Sequence, residues 1–175
     1  SLRRRQKSSD QAAADSFARS VTTGWGSAEI GGAWSTAASG ASVSSGLGQL
    51  TVAKGASGIA ELSSVDSSDT DVTVDLAAGK AASGGGFYVS LVGRGTAANG
   101  YRATTRLMAG GAVVLSLRRT TASAETILSS VQVPGIAVVE GTRVRVRMQV
   151  SGSSPTSLRA KAWLPGSAEP EAWTV

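Results

Sequence analysis

The 175-residue chain contains neither cysteine nor histidine. That double absence removes disulfide frameworks, thiolate nucleophiles, zinc sites of the Cys/His type and every imidazole-based catalytic triad. Aromatic residues make up only 5% of the chain, so a core must be assembled mainly from small and β-branched side chains. No apolar run approaches the roughly 18 residues of a membrane-spanning helix, and the opening residues hold no apolar signal-peptide segment. Missing cysteine does not fix a compartment, because secreted and virion proteins also fold without disulfides.

What the chain has instead is glycine, 22 residues of it, with alanine, serine and threonine between the apolar positions. This composition disfavours long helices and suits short strands joined by tight turns. The longest patterned stretch runs from Gly84 to Met108 and reads as a β-hairpin. Phe87, Val89, Leu91 and Gly93 alternate there with Tyr88, Ser90, Val92 and Arg94, and Asn99-Gly100 is expected to supply the positive φ of the turn. Further strands are read at 41–44, 49–53, 58–63, 70–77, 112–120, 125–133, 142–150 and 157–163. Regular turn spacing and the lack of a helical period predict an all-β fold, a two-sheet antiparallel sandwich.

The formal charge is +5, but Arg3, Arg4, Arg5 and Lys7 supply four of the positives. Residues 1–14 therefore read as a basic linker or tail ahead of one sandwich domain at 15–175, and opening on Ser rather than Met reads as an excised or processed piece. The rest is uneven, with ten basic and two acidic residues from Arg94 to Lys161 against three basic and seven acidic from Asp15 to Lys80.

Several segments together resemble a family. They are Asp15-Ser16-Phe17, Gly24-Trp25-Gly26 and Gly32-Ala33-Trp34-Ser35, then Tyr88 to Arg94, Tyr101-Arg102-Ala103, Val144 to Arg147, and Leu158 to Trp163. Over about residues 15–175 the chain resembles the concanavalin A-like, laminin-G-like jelly-roll modules of actinobacterial secreted proteins and of minor tail proteins from phages of those hosts. The resemblance implies a jelly roll that binds cell-surface polysaccharide without catalysis, placed on a virion tail or outside the cell. An assembly or spacer role, touching only other tail or surface protein chains, is its rival. Such modules usually continue past the stretch seen here as Glu169-Pro170-Glu171-Ala172-Trp173 into further strands, so the expectation is either a fragment or a partner chain that supplies the missing edge, with an open edge beside Phe17 inviting strand addition.

Candidate ligand residues are Trp25, Tyr88, Arg94, Asn99, Tyr101 and Arg102, because planar rings stack on sugar faces while guanidinium and amide groups reach hydroxyls. Arg106, Arg118, Arg143, Arg145, Arg147, Arg159 and Lys161, with Arg102, form one basic face if their strands are neighbours. Such a face draws anionic polymers, but nucleic acid is disfavoured because no exposed aromatics are interleaved for base stacking. Asp66, Asp69 and Asp71 could give oxygen ligands to a structural Ca²⁺, although their spacing fits turn capping better. Glycoside hydrolysis needs two carboxylates flanking a cleft. Asp71 and Asp75 lie about 13 Å apart along one strand at ~3.3 Å per residue, and no aromatic setting raises either one's pKa, so no enzyme is expected.

Overall fold

The computed structural model describes residues 11–175. The basic leader lies outside them as far as residue 10, Arg3, Arg4, Arg5 and Lys7 included. The fold is all-β, with no helix among the described residues. The chain divides into two compact units, one ending at Asp66 and one from Ser67 to Val175, where the sequence predicts a single domain.

The first unit is built from hairpin pieces. Strands β1 (Ser35–Ala37) and β4 (Ile59–Glu61) pair antiparallel, as do β2 (Gly40–Ser44) and β3 (Leu47–Thr51). Val43 is its one buried hydrophobic residue among those described, so an aromatic nucleus supplies most of the packing. Trp25 meets Phe17 and Trp34 edge-on at 5.2 and 5.1 Å between ring centroids, and Phe17 stacks on Trp34 at 6.2 Å. Gly48 leaves the room they need, since a Cβ there would lie 2.6 Å from the Phe17 ring. Asp15 organises the rim of this cluster. Its carboxylate accepts a fork of two bonds from Arg19 at 2.7 Å, the Phe17 amide at 2.8 Å and the Trp34 indole at 2.7 Å. The expected edge strand at Asp15-Ser16-Phe17 is therefore replaced by a stapled turn in which Phe17 has φ 55°.

The second unit is a sandwich of two antiparallel sheets. Four strands form a meander, β6 (Phe87–Gly95), β7 (Gly100–Leu107), β8 (Val113–Thr121) and β9 (Ala124–Gln132). The other sheet has β10 (Val144–Ser151) between β5 (Thr70–Leu76) and β11 (Ser157–Trp163). Inward residues meet as the alternation requires. Val144, Val146, Met148 and Val150 of β10, with Ala160 and Ala162 of β11, pack in one core with Leu107, Val113, Leu115 and Leu117 from the other sheet. Each buried valine or leucine contributes about 1.5–3 kcal/mol. Gly93 makes this approach possible, because a Cβ there would fall 2.7 Å from Val150 and 2.9 Å from the Met148 sulfur.

One turn differs from expectation. The β6–β7 loop is Thr96 to Asn99, and the left-handed residue is Gly95 at φ 87°, with Gly100 already paired in β7. Asn99 instead braces the neighbouring turn: its Oδ1 accepts the Ala122 amide at 2.8 Å, while Ser123 N donates to Ala98 O at 2.9 Å. Ala122 and Ser123 both sit in left-handed conformation, φ 48° and 65°, which L-residues enter at a cost of about 1–2 kcal/mol each.

Replacing Ala122-Ser123 by Asn-Gly should therefore raise stability by roughly 1 kcal/mol, read as a higher denaturation midpoint. A second expectation concerns acid. The Arg19 hydrogen bonds, with those of the Phe17 amide and Trp34 indole, outweigh burial and lower the Asp15 carboxyl from 3.8 to about 2. With the folded value depressed, the stabilisation is complete above about pH 4 and is lost as pH falls towards 2. Tryptophan emission followed between pH 5 and 2 should show that loss, and Asp15→Asn should abolish it at a cost of about 2 kcal/mol near neutrality.

Candidate ligand-binding face

The outward side of the four-stranded sheet is ordered in cross-strand rows. Tyr88, Arg106, Val114 and Gln132 stand in one row. Ser90, Thr104, Ser116 and Ser130 form the next, and Val92, Arg102, Arg118 and Ile127 the third. The middle row is a trough of small hydroxyl residues between two rows of larger ones. Ser90 and Thr104 share a hydrogen bond of 2.8 Å. Thr104 and Ser116 are buried although they face outward, because the large side chains lie down over them.

Tyr88 is 53% exposed. The guanidinium carbons of Arg106 and Arg118 lie 5.1 and 5.9 Å from its ring centroid, so a flat aromatic surface and a set of N–H donors are presented side by side. Arg118 is held by Ser116 Oγ at 2.9 Å and by Glu125. Arg102 donates to the Ala97 carbonyl and lies 3.6 Å from Glu125. Arg106 is fixed through Nε to Gly85 O at 2.8 Å, and its terminal amino groups have no hydrogen-bond partner among the described residues. Three cations against the single carboxylate of Glu125 leave this face positive.

The outward side of the three-stranded sheet differs. Arg145 forks onto Asp75 at 2.6 and 2.8 Å, and Arg147 onto Asp71 at 2.8 and 2.6 Å. Arg147 also reaches Glu169 at 2.6 Å, and Arg159 donates to Gln149 at 2.7 Å. The cations read as one face therefore divide between two sheets, and those of β10 and β11 are largely matched by acids. Arg147 holds the Asp71 carboxyl below the usual carboxylate range, and Arg145 does the same for Asp75, with Arg143, just ahead of β10, adding to it. Lys161 is nearly enclosed: at 5% exposure its ammonium lies 4.7 Å from the Trp173 ring centroid and 5.9 Å from that of Trp163. It donates to Pro170 O at 2.6 Å and pairs with Glu169 at 2.7 Å. Beyond it, Thr174 and Val175 hydrogen-bond the backbone of Ala160 on the edge of β11.

The structure brings Tyr88, Arg102, Arg106 and Arg118 together. It places Arg94, Asn99 and Tyr101 elsewhere, around a pocket at the end of the same sheet. A β-bulge at Gly93 is the reason: it reverses the alternation, so Arg94 stands opposite Tyr101 instead of on the side of Tyr88. Arg94 then binds Gly152 O at 2.8 Å and Asp69 at 3.1 Å. Trp25 belongs to the first unit's aromatic nucleus, its indole donating to Gln49 O at 2.9 Å. Of the calcium candidates, Asp69 caps the Gly152 amide at 3.1 Å and Asp71 is occupied by Arg147 and Gln149. Asp66 lies in the other unit, and among the described residues no three His, Cys, Asp or Glu side chains gather as a metal set.

Sequence reasoning missed the hydroxyl trough. Ser or Thr at outward positions of β6, β7, β8 and β9 was the signal for it. Comparison with protein-family models, curated proteins and solved structures finds no match for the chain.

Trp173 caps a buried ammonium, so Trp173→Ala should destabilise the second unit by about 2 kcal/mol in chemical denaturation. Arg106→Ala, on the other sheet, should change stability by less than about 0.5 kcal/mol.

Proposed function

We propose that the second unit is a concanavalin A-like jelly-roll module that holds a cell-surface polysaccharide on the outer face of its four-stranded sheet without cleaving it. The setting is a phage tail or a secreted surface protein. The observation that carries this reading is Tyr88, half exposed beside two guanidinium groups and above a trough of hydroxyl residues. A sugar ring offers an apolar face to stack on the phenol and a rim of hydroxyls to accept from Arg106 and Arg118. The opposite sheet face supports the assignment by contrast, since its cations already have carboxylate partners.

Binding of purified cell-wall polysaccharide, measured by calorimetry, tests the proposal. Tyr88→Ala should weaken it by roughly tenfold or more, as loss of one stacked ring does, and Arg145→Gln should leave it unchanged. Reducing ends should not accumulate. No binding by the wild-type chain at millimolar sites would overturn the reading.

One observation favours the assembly reading. Every residue of β9 is exposed, Ile127, Leu128 and Val131 among them, and its outer edge pairs with no strand among the described residues. Charge placed there by Leu128→Lys and Val131→Lys, outside the three rows of the binding face, distinguishes the two roles. Intact glycan binding with failed particle or surface assembly would make β9 an assembly edge.

A further inference from the structure

The pocket at the end of the four-stranded sheet, we infer, is a subsite for an acidic sugar, one that carries a carboxylate or a phosphate ester. This inference rests on the reading of the unit as a glycan binder. The pocket holds about 300 Å³ and is lined by Arg94, Asn99, Tyr101, Arg119, Thr120 and Thr121, with Gly95 and Gly100 contributing only backbone. That volume is at the lower end for small-molecule sites of roughly 300–1,000 Å³ and suits a single sugar-sized group.

Its centre is a row set by strand register. Arg94 of β6 stands opposite Tyr101 of β7, which stands opposite Arg119 of β8. Tyr101 thus stands between arginines of both adjacent strands, residue types that stack a sugar and meet an anion beside it.

The hydrogen-bond inventory points to the ligand's charge. Arg94 Nε and Thr120 Oγ1 are both buried and without partners in the protein. Both lie beyond a ligand's reach, as do Arg102 Nε and Thr105 Oγ1 in the same unit, so the ligand's charge is read from the accessible donors of the lining. Arg119 is exposed and forms no ion pair among the described residues. The Asn99 carbonyl oxygen is already taken by the Ala122 amide, which leaves its NH₂ to donate. Arg94 already spends its terminal nitrogens on Gly152 O, Thr156 Oγ1 and Asp69, so the free donors are those of Arg119 and the Asn99 NH₂, and Asp69, the one carboxylate nearby, is 68% exposed and screened by water. A lining rich in donors and poor in acceptors selects a ligand rich in acceptors and negatively charged.

The test is an NMR titration of the whole chain with glucuronate, glucose 6-phosphate and glucose, run on the wild type, Arg119→Ala, Arg119→Lys and Tyr88→Ala. The acids should shift the backbone amides of Tyr101, Arg119 and Thr120, whereas glucose should not. Arg119→Ala should weaken acid binding roughly tenfold, the worth of one charge-assisted pair, with partial recovery in Arg119→Lys. Shifts with glucuronate alone identify a carboxylate ligand and shifts with glucose 6-phosphate alone a phosphate ester, and either result supports the subsite. Equal response to glucose, or acid binding unchanged in Arg119→Ala, would overturn it. Acid shifts confined to the surroundings of Tyr88 and lost in Tyr88→Ala would also remove the subsite, while leaving polysaccharide binding on the outer face intact. If neither these sugars nor the polysaccharide binds, both readings fall together.

Discussion

The second unit depends on the two-sidedness of β10. Its inward residues Val144, Val146, Met148 and Val150 are at most 1% exposed, and its outward residues Arg145 and Arg147 fork onto carboxylates of β5. A slip of one residue would exchange the two sets, burying two arginines and exposing four apolar side chains. Both penalties act in the same direction, so the register is determined from both faces at once. β5 and β11 inherit their positions from it.

The same arrangement explains why the two outer faces of the sandwich have different characters. Acids of β5 and of the Glu169 segment sit among the cations of β10 and β11, turning a run of positive residues into a network of paired charges. On the other sheet only Glu125 intervenes between Arg102 and Arg118, and an aromatic ring lies where a second acid could have been. Surface ion pairs are individually weak, about 0–1 kcal/mol each. Their greater effect here is to leave one face electrostatically quiet and the other available.

Much of this fold is legible in the residues, because alternation at Thr70 to Leu76, Phe87 to Leu91 and Val144 to Val150 follows directly from burial of one sheet face. The breaks in alternation are harder to read. Gly93 looks like one more inward position until its bulge turns Arg94 about, and no local signal tells a bulge from a plain glycine. Charge pairing is non-local in the same way: Arg147 and Asp71 are 76 positions apart and meet only through register. Asn99-Gly100 has the composition of a tight turn, yet the neighbouring β8–β9 turn takes Asn99 as its brace and moves the left-handed residue back to Gly95. At the candidate site, Tyr88, Arg102, Arg106 and Arg118 could be chosen from residue type and outward position. The Ser90 to Ser130 row required knowledge of which strands are neighbours.

The enclosure of Lys161 has a practical side. Lys54 and Lys80 are exposed, whereas Lys161 is shut between two indole rings. Amine-directed coupling chemistry would therefore pass over the β11 face and take hold through loop lysines. Such coupling would leave the Trp173 and Pro170 cap over the Lys161 ammonium untouched.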